Sequence, residues 1–198
     1  MADTLAKKVE EPQKGAMTGD DLAKQLEELK RQVENIKPGA EDKISIIVFS
    51  GDLDKVLAAF IVATGAVAMG MEAVMFFTFW GTPVLRDPKK KAGGKDFMGK
   101  MFSFMLPKGR NAIKLSKMNM GGMGTSMMKS LMKKKNVASL DQMLDMAGEL
   151  GVKIFICEMS MNLMGFKREE FIDYPDLDYV GVATFLEQAK NSKVQLFI

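Results

Sequence analysis

Apolar residues cluster in short runs along the chain, and most of these runs predict buried β-strands. Ile44 to Phe49 is rich in β-branched residues, and Val152 to Ile156 is a second run of the same kind. Continuous apolar character, without alternating polar residues, is typical of parallel strands that helices cover on both faces. Ser50-Gly51-Asp52 follows the first run and a helical pattern opens at Leu53, so the sequence predicts a strand, a tight turn and a helix.

The stretch from Val56 to Trp80 is apolar except for Glu72, and its length suits a membrane-spanning helix. Gly70, however, divides it into two halves of different character. The first half, 56–69, is rich in Ala and favours a helix, whereas the second, 72–79, is rich in β-branched and aromatic residues and favours a strand. We therefore predict a βαβ unit and not a membrane span.

The last third of the chain alternates helical and strand patterns. Ser139 and Gln142 form a capping-box signature, which starts a helix that ends near Gly151. After the strand at 152–156, the pattern predicts a short helix, a longer helix and a final strand, at Met161 to Met164, Val180 to Asn191 and Val194 to Ile198. This order predicts an α/β fold with an open, mostly parallel sheet, in which ligands lie at the carboxyl ends of strands.

The amino-terminal part of the chain differs from this pattern. Residues 1–17 mix charged residues, Pro and Gly without an apolar period, which predicts a disordered tail. Residues 18–38 predict an amphipathic helix, because apolar residues recur at spacings of four and three, at Leu22, Leu26, Leu29, Val33 and Ile36. This seam is too short for a stable isolated coiled coil, so the helix packs on its own domain or, as we favour, on a neighbouring subunit.

Residues 86–135 form a basic, methionine-rich insertion. It holds 14 Lys and Arg against only Asp87 and Asp96, and nine of the 19 methionines. Asp96 to Leu106 and Ser126 to Lys135 predict two basic amphipathic helices. The Gly-rich segment from Met120 to Thr125 predicts a mobile hinge between them.

The chemistry of this insertion bears on its partners. Two basic amphipathic helices rich in Phe and Met suit peripheral contact with a membrane surface. Nucleic acid is not expected, because few aromatic residues accompany the charges and no recognised motif is present. Dense methionines are able to bind Cu(I), but the interleaved Lys and Gly favour an adaptable lid or interface, so we expect no metal.

The composition excludes several catalytic classes. The 198 residues carry a net charge of +3 and include no histidine, which rules out Ser-His-Asp triads, Cys-His dyads and zinc sites built on imidazole. Cys157 is the only cysteine, so no internal disulfide forms. The amino terminus shows no secretory pattern, and the sequence therefore predicts a cytoplasmic protein.

Cys157 is the candidate reactive residue, because it directly follows the strand at 152–156. A short helix after it would direct backbone N–H groups at the sulfur, and Ser160 and the backbone from Met159 onward would add hydrogen bonds that stabilise a thiolate. Glu158 acts in the opposite direction, because a neighbouring carboxylate disfavours the thiolate. A buried cysteine is also commonly a small core residue, and that alternative stays open.

The turn Ser50-Gly51-Asp52 is a second candidate, because it too lies at the end of a predicted strand. We expect these three residues to line the same crevice as Cys157 from the neighbouring strand. The competing interpretation is a structural strand-to-helix turn with Asp52 as the N-cap.

Three separated motifs resemble one protein family. They are Ile-Ile-Val-Phe-Ser-Gly-Asp-Leu-Asp-Lys from Ile46, Met-Phe-Phe-Thr-Phe-Trp-Gly from Met75 and Cys-Glu-Met-Ser-Met-Asn-Leu-Met-Gly from Cys157. In this order they resemble the DsrE/DsrF-like family over residues 43–198, and in particular its longer subgroup with a Lys/Met-rich insertion, often labelled peroxiredoxin-like. The resemblance implies a parallel sheet of about five strands with helices on both faces, and oligomeric assembly.

The resemblance also implies a function. The chain is expected to be a sulfur carrier or sulfurtransferase that holds sulfur as a persulfide on Cys157 and passes it between protein thiols without a cofactor. Rhodanese-like proteins and small sulfur carriers are the implied partners. A peroxidase label fits poorly, because no Thr or Ser stands three residues before Cys157. The alternative is a non-catalytic oligomeric or membrane-surface interaction protein with a buried structural cysteine.

Overall fold

The computed structural model describes residues 19–35 and 41–198, which belong to two compact units, the first ending at residue 39. The first unit contains helix α1 (Gly19–Asn35), which lies within the predicted helical segment 18–38. Leu26 and Leu29 of the predicted seam are exposed. The predicted tail at 1–17 and the ends of the predicted helix lie outside the described residues, and contact of α1 with a second subunit stays a prediction.

The second unit is built on a sheet of five strands, all parallel, in the order β4-β3-β2-β1-β5. The strands are β1 (Glu41–Val48), β2 (Glu72–Phe77), β3 (Lys153–Cys157), β4 (Leu177–Val180) and β5 (Ser192–Phe197). The predicted α/β class with an open parallel sheet is therefore confirmed.

Six helices accompany this sheet among the described residues: α2 (Leu53–Ala68), α3 (Phe97–Met105), α4 (Met123–Lys134), α5 (Leu140–Glu149), α6 (Glu158–Leu163) and α7 (Val182–Lys190). The capping box that the sequence predicts at α5 is present, with the Ser139 side chain accepting from the Gln142 N–H and the Gln142 side chain accepting from the Ser139 N–H. Three short 3₁₀ segments complete the chain, at Phe79–Leu85, Met120–Gly122 and Arg168–Glu170.

The two faces of the sheet carry cores of different size, because alternate residues of each strand point to opposite faces. Ile44, Ile46 and Val48 of β1 point to the larger core, which also contains residues of α2 and α5. The smaller core lies on the other face, under α7, and consists of Val74, Phe76, Phe155, Cys157, Phe185 and Ala189. Cys157 therefore belongs to the α7 side of the sheet.

The apolar stretch 56–80 folds in two pieces, as predicted. Helix α2 ends at Ala68, Gly70 adopts a positive φ of 84°, and β2 begins at Glu72. Burial accounts for the apolar character of β2 and of one face of α2, whereas Ile61 and Val62 of α2 and Met69 after it are exposed. Within the described ranges, no helix has both the length and the apolar character needed to cross a membrane.

The basic insertion contains both predicted helices, α3 and α4, and the mobility of the glycine-rich segment before α4 stays a prediction. Met120–Gly122 is a 3₁₀ turn and α4 already begins at Met123. Thr125 is buried, accepts from the N–H of Leu115 and donates to Oδ1 of Asn119 at 2.8 Å. The segment is thus anchored by a side chain that the glycine count does not reveal.

Candidate thiol site

Cys157 is the last residue of β3 and the N-cap residue of α6. The strand therefore ends one residue later than the sequence analysis predicted, and Cys157 lies within it. Its neighbour on one side is Val180 of β4. On the other side Ile156 pairs with Phe77, and the same register places Thr78 beside Cys157. The thiol is buried, with only 3% of its surface exposed.

Hydrogen-bond donors surround the sulfur of Cys157 on two sides. The Ser160 hydroxyl and N–H and the Met159 N–H belong to the first turn of α6, and the Thr78 hydroxyl lies at the end of β2. The Cys157 side chain makes no cap bond to α6 in this geometry. Burial raises the pKa of Cys157, but the combined effect of these donors outweighs burial and holds the pKa below the ordinary value for a thiol. Helix α6 and Ser160 thus lie beside the thiol, where the sequence analysis expected them, and the reactivity of Cys157 stays a prediction.

The hydroxyls of Thr78 and Ser160 also bond each other, with 2.9 Å between Oγ1 and Oγ, and both residues are buried. Ser160 Oγ accepts in addition from the N–H of Phe79 at 3.0 Å. Each hydroxyl has one proton, so when one of them donates to the other, the acceptor retains its own proton for the sulfur. The pair can therefore always present one O–H donor to a thiolate.

Phe79 has an uncommon backbone conformation at this site. Its φ is 44°, a left-handed value that costs energy for a residue with a bulky side chain. The conformation directs its N–H at Ser160 and begins the Phe79–Leu85 segment. Such residues persist only where the surroundings over-determine them, which makes Phe79 a candidate positioning residue that the sequence analysis assigned to a strand.

Ser50, Gly51 and Asp52 do not line the thiol site from the neighbouring strand. They follow β1, and β2 lies between β1 and β3. Ser50 Oγ donates to Asp52 Oδ2 at 2.8 Å and accepts from the N–H of Asp52. Asp52 occupies the N-cap position of α2 but makes no side-chain cap bond, and its carboxylate pairs with Lys55 at 2.9 Å.

The Ser50 turn instead supports the segment after β2. A Cβ built on Gly51 would lie 2.3 Å from the backbone oxygen of Trp80, and one built on Gly81 would lie 2.2 Å from that of Val48. Both glycines are needed because two backbones approach closely here. The turn therefore contacts the Phe79–Leu85 segment. Its link to Ser160 is indirect and passes through Phe79, whose N–H donates to Ser160.

Glu158 and Met159, the other two predicted site residues, flank the thiol in different ways. The Glu158 carboxylate forms an ion pair with Arg168, which offsets its negative charge near the sulfur. The Met159 N–H contributes to the lowered pKa of Cys157, whereas Met159 as a residue is 56% exposed. Sequence reasoning missed Thr78, although a signal was present: Thr78 directly follows one strand as Cys157 ends another.

Aromatic rings gather beside this site. Phe79 lies 5.4 Å from Phe49, and Phe49 lies 5.6 Å from Phe197, measured between ring centroids. Phe197 and Trp80 are both exposed. Within residues 19–35 and 41–198 no group of three or more Cys, Asp or Glu side chains is placed to hold a metal ion. Immediately around Cys157, the side-chain chemistry available is that of one thiol and two hydroxyls.

The second unit is thus a parallel five-stranded α/β domain with a buried thiol at the end of its strand β3. Residues 40–197 match the model of the DsrE/DsrF/DrsH-like family, and the chain belongs to this family. The chain is 46% identical over 156 residues to the uncharacterized protein YrkE of Bacillus subtilis (strain 168), covering 79% of this chain and 96% of that protein. It is 35% identical over 159 residues to the sulfur carrier protein DsrE2 of Allochromatium vinosum, covering 80% of this chain and 99% of DsrE2.

Proposed function

We propose that the protein is a sulfur carrier in a sulfur relay and that Cys157 holds the sulfur as a persulfide. The observation that carries this proposal is the position of Cys157 at the start of α6 beside the buried hydroxyl pair Thr78–Ser160, which lowers the pKa of the thiol despite burial. A structural cysteine has no need of donors, because a thiol is a weak hydrogen-bonding group. Family membership and the likeness to a protein named as a sulfur carrier support the same conclusion.

The transfer reaction needs only thiol chemistry. The Cys157 thiolate attacks the outer sulfur of a donor persulfide, a new S–S bond forms, and the donor leaves as its own thiolate when the old S–S bond breaks. An acceptor thiolate later attacks the outer sulfur of the Cys157 persulfide and releases Cys157 as a thiolate. No net oxidation occurs, and no cofactor is required. The Ser160 and Thr78 hydroxyls stabilise the negative charge on Cys157 at both ends of the cycle.

Burial of Cys157 requires that the sulfur become accessible during transfer. The helix α6 is only six residues long, and Met159 and Leu163 expose 56% and 61% of their surfaces. Together with exposed Trp80 and Phe197, they are apolar residues of the kind enriched in protein interfaces. Donor and acceptor proteins, of the rhodanese-like and small sulfur-carrier kinds, are the partners we propose for this surface.

A second candidate function follows from the same burial. With 3% of its surface exposed, Cys157 also fits a structural residue of the smaller core, packed with Phe155 and Phe185. The protein would then act as an oligomeric or membrane-surface interaction module. The two candidates predict opposite behaviour of the thiol toward sulfur donors.

Mass spectrometry after treatment with polysulfide separates the two candidates. The carrier predicts a single adduct of about 32 Da, one sulfur atom, that dithiothreitol removes. Because the chain has one cysteine, Cys157→Ser must lose the adduct completely. Absence of the adduct from the folded wild-type protein, combined with a thiol inert to iodoacetamide, would overturn the carrier and favour the structural cysteine.

A further inference from the structure

The basic insertion contains a cavity that the thiol chemistry does not use. It has a volume of about 280 Å³ and is lined mainly by residues of the segment 86–108, together with Glu170. Its charged lining consists of six cations and two carboxylates: Arg86, Lys90, Lys91, Lys95, Lys100 and Lys108, with Asp87 and Glu170. Neither Cys157 nor the hydroxyls beside it line this cavity.

The inner wall of the cavity consists of the buried charged residues Arg86, Lys95 and Glu170, with two cations and one carboxylate. The side chains of Arg86 and Lys95 are only 5% and 6% exposed, and both pair with Glu170, which is 5% exposed. Two buried cations thus share one carboxylate. Burying charge without a matching partner is costly, so the surplus positive charge favours an anion close by.

Arg86 adds an independent observation. Its Nη2 donates to Glu170 at 3.3 Å and its Nη1 to the carbonyl of Pro107 at 3.4 Å, both at the long end of hydrogen-bond distances. Its Nε is buried and has no acceptor among the described residues. Nearly all buried donors in proteins have a partner, and an orphan commonly marks the place of a bound water or ion.

The outer wall supplies cations that the protein itself does not neutralise. Lys90 pairs with Asp173 at 2.7 Å, and the Asp87 carboxylate accepts from the N–H of Lys89. Lys91, Lys100 and Lys108 have no acidic partner in the described part of the chain. Even with Asp173 included, cations exceed carboxylates by three around one small cavity.

We infer that this cavity binds a doubly charged tetrahedral oxyanion, of the phosphate or sulfate class. Several ammonium groups line a cavity of about 280 Å³, which has more than enough room for such an ion, and lysine acts on oxyanions as a point charge without directional demands. Phe104 is the only aromatic residue in the lining, and it is 87% exposed, so no stacking platform for a nucleobase is present. The inference is independent of the proposed sulfur transfer.

Isothermal titration calorimetry of the full-length protein tests the inference, with sodium phosphate and sodium sulfate as probes at constant ionic strength. We expect saturable binding of one anion per chain. The variant K91Q/K100Q/K108Q removes three cations of the outer wall, and its affinity should fall about tenfold or more, because several like charges act on one ion. All three lysines are exposed, so the fold is expected to survive, which the melting temperature checks.

The matched control is K117Q/K134Q/K135Q, which changes the net charge equally at three exposed lysines outside this cavity. The control should keep the wild-type affinity within about twofold, since exposed charges beyond a Debye length are screened. Equal losses in both triple variants would mean diffuse attraction, and no saturable binding to the wild type would mean no site; either result overturns the inference. Glycerol 3-phosphate, titrated in parallel, tells whether the oxyanion is bound free or as the end of a larger ligand.

Discussion

The domain contains two pairs of buried hydroxyls that bond each other, and the pairs differ in the further acceptor that lies beside them. Ser45 and Ser192 bond each other at 2.8 Å, and Ser192 Oγ donates to the carbonyl of Gln188 at 3.0 Å. Thr78 and Ser160 bond each other at 2.9 Å, but the further acceptor beside them is the sulfur of Cys157. The first pair ends at a backbone carbonyl and ties β1 to β5 and α7, whereas the second ends at a titratable group.

Hydroxyl side chains thus have a structural role in the Ser45–Ser192 pair and a chemical role in the Thr78–Ser160 pair. In both pairs, burial makes a lost hydrogen bond costly. In the pair at Cys157, however, the bond is stronger to the thiolate than to the thiol, so it also shifts an equilibrium. Variants of the two pairs should therefore affect stability alike and reactivity very differently.

Ser160→Ala should produce the largest effect. It removes the first of the hydrogen bonds that lower the pKa of Cys157, while the burial that raises this pKa remains. The pKa should rise, and the alkylation rate of folded protein by iodoacetamide at neutral pH should fall about tenfold or more, since a hydrogen bond to a charged group contributes about 1.5–3 kcal/mol. The ultraviolet absorbance of the thiolate gives the pKa directly. Ser45→Ala is the control, and an equal loss of rate in both variants would contradict the comparison.

Ser192→Ala should show the structural counterpart. It leaves the Gln188 carbonyl and the Ser45 hydroxyl without their shared partner, so the free energy of unfolding should fall by about 1 kcal/mol or more. Urea unfolding measures this change. The alkylation rate of Cys157 should stay at the wild-type value, and a slower thiol in this variant would show that the two pairs are coupled.

Thr78→Val should have a smaller effect on the thiol than Ser160→Ala. It keeps the shape of the side chain and removes one hydroxyl, after which Ser160 still has its proton to donate to the sulfur. We expect the alkylation rate at neutral pH to fall only about threefold, because the Thr78 hydroxyl lowers the pKa of Cys157 less than Ser160 does. A decrease as large as that of Ser160→Ala would contradict this ranking of the two donors.

The comparison also shows how far the sequence predicts the fold. Strands β2 and β3 are apolar after their first residue, and β1 is apolar from Ile44 onward except for Ser45, so apolar character and length identify all three. The start of β1 at Glu41 lies before its apolar run. Strand β4 has only half-exposed or exposed residues at the sheet edge, and the sequence analysis assigned its last residue, Val180, to the following helix. The helix begins two residues later because Gly181, and not Val180, is its N-cap.

The candidate site was predictable only in part. Cys157 and Ser160 are close in sequence, so a strand followed by a short helix was enough to bring them together. Thr78 directly follows β2 and is distant from Cys157 in sequence. Its proximity to Cys157 depends on the strand order, which places β2 and not β1 beside β3. Strand order depends on how the crossovers pack, and no local pattern of residues records it. The same fact explains why the Ser50 turn lies farther from the thiol than expected.

The smallest effect we expect is on the pH dependence of stability, and its sign follows from the direction of the pKa shift. The pKa of Cys157 is lower in the folded protein than the ordinary thiol value of 9.0, so the folded state binds fewer protons between these two pKa values. The contribution of Cys157 to stability is therefore fully present above pH 9 and is lost as the pH falls through the folded pKa.

Urea unfolding of the wild type and of Cys157→Ala across this range should give a difference in the free energy of unfolding that grows with pH. Only one group titrates, so the change is small, but Ser160→Ala should flatten or reverse it. A constant difference in the wild type would mean that the hydrogen bonds do not distinguish thiolate from thiol, which would remove the physical basis for the contrast between the two hydroxyl pairs.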